Sequence, residues 1–121
     1  MLRASAQASD TDVDIQGIAG DASSAELGIQ YGAQLMQFAE AVARRDADAL
    51  PGARQALLEV AGPEVLVDAV GVAANFQRMV RIADSIGIPY DNAQSEMSQA
   101  VVAELGLTNF ESAQNTPGLN T

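Results

Sequence analysis

One apolar stretch of the sequence contains three polar residues of the kinds found in acid–base catalytic sites. Asn75, Arg81 and Asp84 lie within residues 63–89, a segment bounded by two prolines. Asp84 could act as a general acid or base, with Arg81 and Asn75 orienting an anionic substrate. Charged pairs at helical spacing are, however, common on protein surfaces and contribute little to stability. The pattern therefore favours surface or intersubunit pairing, with a catalytic site as the alternative.

Two further groups of residues are candidates for chemical sites. Glu64 and Asp68 are four residues apart, so their carboxylates share a helix face and could share a proton or bind a cation. Near a helix start, Glu64 is more simply a favourable charge on the first turn. Tyr31 and Tyr90 are the only phenols: Tyr31 falls in an apolar stripe, and Tyr90 follows a proline in a turn. No metal or cofactor site is predicted from these residues.

The composition excludes several kinds of chemistry. The chain has no Cys and no His, which removes thiol nucleophiles, imidazole bases, disulfides and the usual zinc ligands. Six basic and sixteen acidic residues give a formal net charge of −10, which argues against binding nucleic acid or anionic lipid. No segment approaches the roughly 20 apolar residues of a membrane span. We therefore expect a soluble, cytoplasmic protein with no nucleic-acid or membrane partner.

The predicted organisation is one helical domain with two less ordered ends. Residues 1–22 are polar and read as a flexible arm, residues 23–106 as the helical domain, and residues 107–121 as a loose tail. About four helices are expected in the domain, and no alternating strand pattern is visible. The predicted fold class is therefore all-α.

The first two helices carry recognisable end signals. Ser23 with Glu26 forms a capping box at the first start, and Arg44 and Arg45 suit its negative end. The apolar stripe of this helix is Leu27, Tyr31, Leu35, Phe38 and Val42. The second helix has Asp46 and Asp48 as candidate caps, Pro51 in its first turn, and Leu50, Leu57, Leu58 and Val60 as its apolar side. The Gly62–Pro63 step ends it and opens the next helix.

The third helix is apolar on several sides. One broad face carries Leu66, Ala69, Val70, Ala73, Phe76, Val80 and Ala83, and further apolar residues extend around it. Such a helix is expected to be central or at an interface. Gly87 and Pro89 end it, and a fourth helix is predicted to begin at Asp91 and end at Gly106.

With these elements in view, residues from about Tyr31 to Asn92 resemble the C-terminal half of alkylhydroperoxidase-like proteins of the carboxymuconolactone decarboxylase family, including peroxidase-related members. The resemblance is carried by AEAVARRDADAL, then by GPEVLVDAVGVAANFQRMVRIADSIGIP, and above all by Asn75-Phe76 and by Arg81-Ile82-Ala83-Asp84 before Gly-Ile-Pro. It implies an orthogonal helical bundle that assembles into homo-oligomers through its helices.

The family's peroxidase members use a Cys-x-x-Cys pair with a nearby His and Glu, and this chain has neither Cys nor His. No catalytic residue is carried over. The predicted function is a catalytically silent module that associates with itself or with a related helical subunit. The alternatives are a lyase acting through Asp84, Arg81 and Asn75, or half of a peroxidase-related enzyme whose cysteine-bearing part is a separate chain.

Overall fold

The computed structural model describes Ala8 and residues 29–119. Its helices are α1 (Gly32–Arg44), α2 (Ala49–Ile86) and α3 (Glu96–Glu104), followed by 3₁₀ helices at Leu107–Asn109 and Glu111–Asn115. The described residues contain no strand, and the predicted all-α class is confirmed. The described residues divide into two compact units, one up to Gln77 and the other from Arg78, and α2 contributes residues to both. The predicted helical domain of residues 23–106 stays a prediction.

Helix α1 begins later than the sequence predicts. The predicted start at Ser23 with Glu26 lies outside the described residues. Tyr31, placed inside the helix by the sequence pattern, has a φ of 60° and stands just before it. A left-handed residue cannot belong to a right-handed helix, and a turn here is closed by the Gly32 N–H bonding to the Ile29 carbonyl at 3.0 Å. The prediction that the helix runs through Tyr31 is therefore wrong.

The junction between α1 and α2 follows the predicted signals. Arg45 has a φ of 55°, and the N–H groups of Arg45 and Asp46 bond back to carbonyls of the last turn of α1. Asp46 Oδ1 then accepts from the N–H groups of Asp48 and Ala49, at 3.1 and 2.9 Å. Asp46 is thus the cap, as predicted, whereas Asp48 acts as a donor to it. Pro51 falls in the first turn, where its missing N–H has no consequence.

A kink at Gly62 divides α2 into two helical segments, residues 49–61 and 63–86. Gly62 has φ 83° and ψ 171°, a conformation that is almost restricted to glycine. Pro63 follows directly, and proline at the start of a helix is favourable because its φ is already helical. The predicted break at Gly62–Pro63 is confirmed as a sharp change of direction between segments.

Replacing Gly62 by Ala should destabilise the chain by about 1–3 kcal/mol, because alanine is strained at this φ and ψ. No atom lies within 4 Å of a Cβ built at Gly62, so the cost is purely that of the backbone. Gly71→Ala is the matched control, since Gly71 also has open space and a helical backbone. The control should stabilise by up to about 1 kcal/mol. Urea unfolding measures both, and equal effects of the two changes would contradict the account.

The end of α2 is a glycine-terminated turn. Gly87 has a φ of 61°; its N–H bonds to the Asp84 carbonyl, and the Ile88 N–H bonds to the Ala83 carbonyl at 3.1 Å. These two bonds form the Schellman motif, which satisfies carbonyls that the helix end leaves free. The sequence prediction that Gly87 ends this helix is confirmed.

The cap of α3 is Ser95, and the predicted cap Asp91 is wrong. Ser95 Oγ accepts from the Ser98 N–H at 3.2 Å. Residues 91–94 form a turn instead of a first helical turn, with Asn92 at a φ of 54°. Asp91 and Ser95 are both residue types that can cap a helix. The left-handed backbone at Asn92 prevents the helix from starting at Asp91. Gly106, at a φ of 60°, follows the end of α3 as predicted.

Little of the apolar surface of α2 is buried. Leu57 is the only buried residue of α2, and its exposed fraction is 0%. Residues predicted for the apolar face of the third helix include Val70, Phe76 and Val80, which are 47%, 58% and 44% exposed. Much of the apolar surface of segment 63–86 is therefore exposed in the single chain. Its placement at the centre or at an interface stays a prediction.

The C-terminal segment, predicted as a loose tail over residues 107–121, contains short helical turns in its described part. Its described part, residues 107–119, forms the two 3₁₀ helices and a final turn. Ala113 and Thr116 are buried, at 5% and 7% exposure. The apolar spacing in this segment is too irregular to predict a helix, because 3₁₀ turns do not follow a 3.6-residue period.

Candidate functional site

A nearly apolar groove lies in the first unit, between α1 and the second segment of α2. Its volume is about 500 Å³. Its lining residues are Leu35, Phe38 and Ala39 from α1 and Val65, Asp68, Ala69, Val72, Ala73 and Phe76 from α2. We refer to it as the α1–α2 groove. It is the strongest candidate for an interaction surface in the described residues of this unit.

The spacing of the α2 residues explains the groove. Val65, Ala69, Val72 and Phe76 recur at four, three and four residues, which places them along one face of a helix. Ala69 and Ala73 carry single methyl groups and are half-buried. The lining therefore combines small and larger apolar side chains.

Two of the larger residues that line the groove are exposed to solvent. Val72 and Phe76 are each 58% exposed, although both are apolar and lie on the same face as the half-buried alanines. Fully burying a side chain of this size is worth about 1.5–3 kcal/mol. Covering the groove with another apolar surface would therefore be favourable, and Phe76, the larger of the two side chains, would contribute most.

A second cavity, of about 290 Å³, lies within the second unit. It is lined by Ala83, Asp84, Ile88, Pro89, Tyr90, Val102, Leu107, Phe110, Ser112, Ala113, Asn115, Thr116 and Leu119. We call it the Tyr90 cavity. The end of α2, the turn after it, α3 and the C-terminal segment all contribute to its walls.

One hydrogen bond joins two walls of the Tyr90 cavity. The Tyr90 N–H donates to Thr116 Oγ1 at 2.8 Å, and Thr116 is 7% exposed. This bond connects residues 26 positions apart, so it ties the turn after α2 to the C-terminal segment. Sequence reasoning missed Thr116 and Asn115 as cavity residues, because they lie in a polar segment with no regular period.

The charge of the Tyr90 cavity comes from a carboxylate. Asp84 is the single charged residue in its lining. An adjoining depression is lined by Asp84, Phe110, Glu111, Ser112, Gln114 and Asn115, so Glu111 adds a second negative charge nearby. No Arg lines either surface. The electrostatic field here favours a cation.

The three residues of the predicted catalytic alternative are placed as follows. Asn75 belongs to the first unit, and Arg81 and Asp84 belong to the second. All three are exposed. Asp84 lines the Tyr90 cavity, while Asn75 and Arg81 are not among the residues that line it. The Arg81 carbonyl accepts a hydrogen bond from Ser85 Oγ at 2.6 Å. Convergence of the three on one pocket stays a prediction.

The other candidate residues are placed as follows. Glu64 and Asp68 are both exposed; Asp68 lines the α1–α2 groove, and Glu64 is not part of its lining. Tyr31 precedes α1, where its hydroxyl accepts from Gln30 Nε2 at 2.8 Å. Tyr90 lines the cavity of the second unit. In the part of the chain that the structure describes, no group of three or more acidic residues is placed to hold a metal ion.

Comparisons with protein-family models, with curated proteins and with solved structures find no match for this chain. The resemblance to the alkylhydroperoxidase-like family therefore stays a prediction. Among the described helices, none has the length and apolar character needed to cross a membrane.

Proposed function

We propose that the protein is a helical self-association module, in which two copies meet through the α1–α2 groove. The observation that carries the proposal is the exposure of Val72 and Phe76, each 58%, beside a groove with almost no polar surface. Exposed apolar surface of this kind marks interaction sites in folded proteins. The occupant that fits best is a second copy of the same chain.

The groove supplies both halves of a self-complementary contact. Phe76 lines the groove and is exposed, and the small residues Ala69 and Ala73 in the same lining would leave space for a large side chain from another molecule. A twofold-symmetric interface uses the same patch on both partners, so it needs a protrusion and a matching recess on one surface. Small residues at the contact also let two helix backbones approach closely, as in close-packed helix pairs.

Electrostatics favours this surface over others for contact between two copies. Each chain has a net charge of −10, so copies repel each other when charged surfaces face. The lining of the groove holds one charged residue, Asp68. Two grooves can therefore face each other with less like-charge repulsion than most other pairings of this acidic surface would bring.

The proposal agrees with the helix-mediated assembly that the family resemblance implies. A related helical subunit could present a similar apolar helix to the groove. Lyase chemistry at Asp84, Arg81 and Asn75, and a separate cysteine-bearing chain, stay predictions that are independent of the groove.

Sedimentation equilibrium of the full chain should give a mass that rises from 12.5 kDa toward twice that value at micromolar concentration. Added salt should leave the association unchanged or strengthen it, because the contact is apolar and salt screens repulsion between the acidic chains. A chain that stays monomeric through this range, in low and high salt, would refute self-association.

A further inference from the structure

We infer that the Tyr90 cavity binds a small organic cation, an amine attached to a compact apolar body. This site lies in the second unit, so the inference goes beyond self-association through the α1–α2 groove and does not depend on it. It rests on the cavity's size, on its two exposed aromatic rings and on the sign of its charge.

The size of the cavity suits a small molecule. Its volume of about 290 Å³ is just below the range for pockets that hold drug-sized ligands, about 300–1,000 Å³, and therefore suits a smaller molecule. Ile88, Val102 and Leu107 supply apolar walls against which a single ring or short aliphatic body can pack. Ser112, Asn115 and Thr116 supply a few polar groups, the usual arrangement for fixing a ligand's orientation.

Two aromatic residues of the lining have surface available for a ligand. Phe110 is 61% exposed and Tyr90 is 40% exposed, although both border the cavity. Aromatic faces attract ammonium groups through the ring quadrupole, and such contacts strengthen when the site is partly shielded from water. The rings therefore favour a positively charged group over a negatively charged one.

The charged residues select the same sign. Asp84 lines the cavity and also the adjoining depression that contains Glu111. Neither surface includes an Arg, and the chain has no Lys, so an anionic ligand would meet two carboxylates and no cation. A primary ammonium can bond to Asp84 while its apolar body occupies the cavity.

Three probes of similar shape and different charge test whether the cavity selects a cation: benzylamine, benzyl alcohol and benzoate. Titrated into the ¹⁵N-labelled full chain at near-neutral pH, benzylamine should shift amide signals of Tyr90, Phe110 and Thr116. Benzyl alcohol should bind at least about threefold more weakly, because it lacks the charge that Asp84 recognises. Benzoate should give no saturable shift at these positions.

Asp84→Asn should weaken benzylamine binding by about two- to fivefold while leaving benzyl alcohol unchanged. Asp91→Asn is the matched control: Asp91 is an exposed carboxylate of the same unit that does not line the cavity, and its loss should not change binding by more than overall charge requires. Phe110→Ala should weaken both neutral and charged probes. Equal binding of benzoate and benzylamine, an unchanged affinity in Asp84→Asn, or shifts that map outside the cavity would each overturn the inference.

Discussion

Phe76→Glu should abolish dimerisation at concentrations where the unchanged chain is a dimer. The substitution removes an exposed aromatic ring and puts a carboxylate into an apolar contact, where it has no cation to pair with. The few residues that dominate an interface cost about 2 kcal/mol or more when truncated, and Phe76 is the residue expected to do so here. Because a twofold dimer contains the residue twice, the dissociation constant should rise by roughly a thousandfold, equivalent to about 4 kcal/mol.

Val67→Glu is the control for that experiment. Val67 is 68% exposed and lies nine residues before Phe76, which is about half a turn around the same helix at 100° per residue. Residue 67 therefore faces away from the groove, and Val67→Glu adds the same charge to the same helix as Phe76→Glu does. Sedimentation and far-UV circular dichroism should report a folded monomer for Phe76→Glu and a folded dimer for Val67→Glu. If both variants dissociate alike, the groove is not the contact and general charge repulsion is the cause.

Leu57→Ala should destabilise the first unit by about 2–5 kcal/mol. Leu57 has no exposed surface and is the only residue of α2 in the buried class, so its truncation removes apolar burial and leaves a cavity. A loss of this size is a large part of the total stability of a chain this short. Urea unfolding followed by far-UV circular dichroism measures it, at one fixed protein concentration because association contributes to stability.

Val67→Ala serves as the comparison for Leu57→Ala. Its side chain is largely in water already, so its truncation should change the free energy of unfolding by no more than about 0.5 kcal/mol. The two variants share a helix and a similar chemical change, and they differ in burial. A Leu57→Ala variant as stable as Val67→Ala would show that Leu57 is not part of a packed core.

Several structural features were accessible from the residues alone because they depend on local backbone energies. Asp46 caps α2 because an aspartate oxygen can reach the N–H groups two and three residues later. Gly62 and Gly87 interrupt or end helices because positive φ is inexpensive only for glycine. The same reasoning failed at Asp91, where two caps lie four residues apart and the turn at Asn92 decides for Ser95.

The candidate sites were less accessible than the helices. The polar residues of segment 63–89 suggested Asp84 as a site residue, and the structure places Asp84 in the lining of a cavity. Many of the other lining residues come from the C-terminal segment. Thr116 and Phe110 line the same cavity as Asp84 and flank a 3₁₀ helix, whose residues do not follow the 3.6-residue period of an α-helix. Sequence spacing relates residues along one element and says little about which other element meets it.

Sequence alone determined the helical class, the break at Gly62–Pro63, the absence of thiol and imidazole chemistry and the apolar character of residues 63–89. Each of these follows from residue types and near-neighbour spacing. Only the tertiary structure decided that this apolar helix stays exposed at Phe76, and that Asp84 borders a cavity without Arg81 in its lining. The physical reason is that burial depends on contacts between residues distant in the chain, which local propensities do not specify.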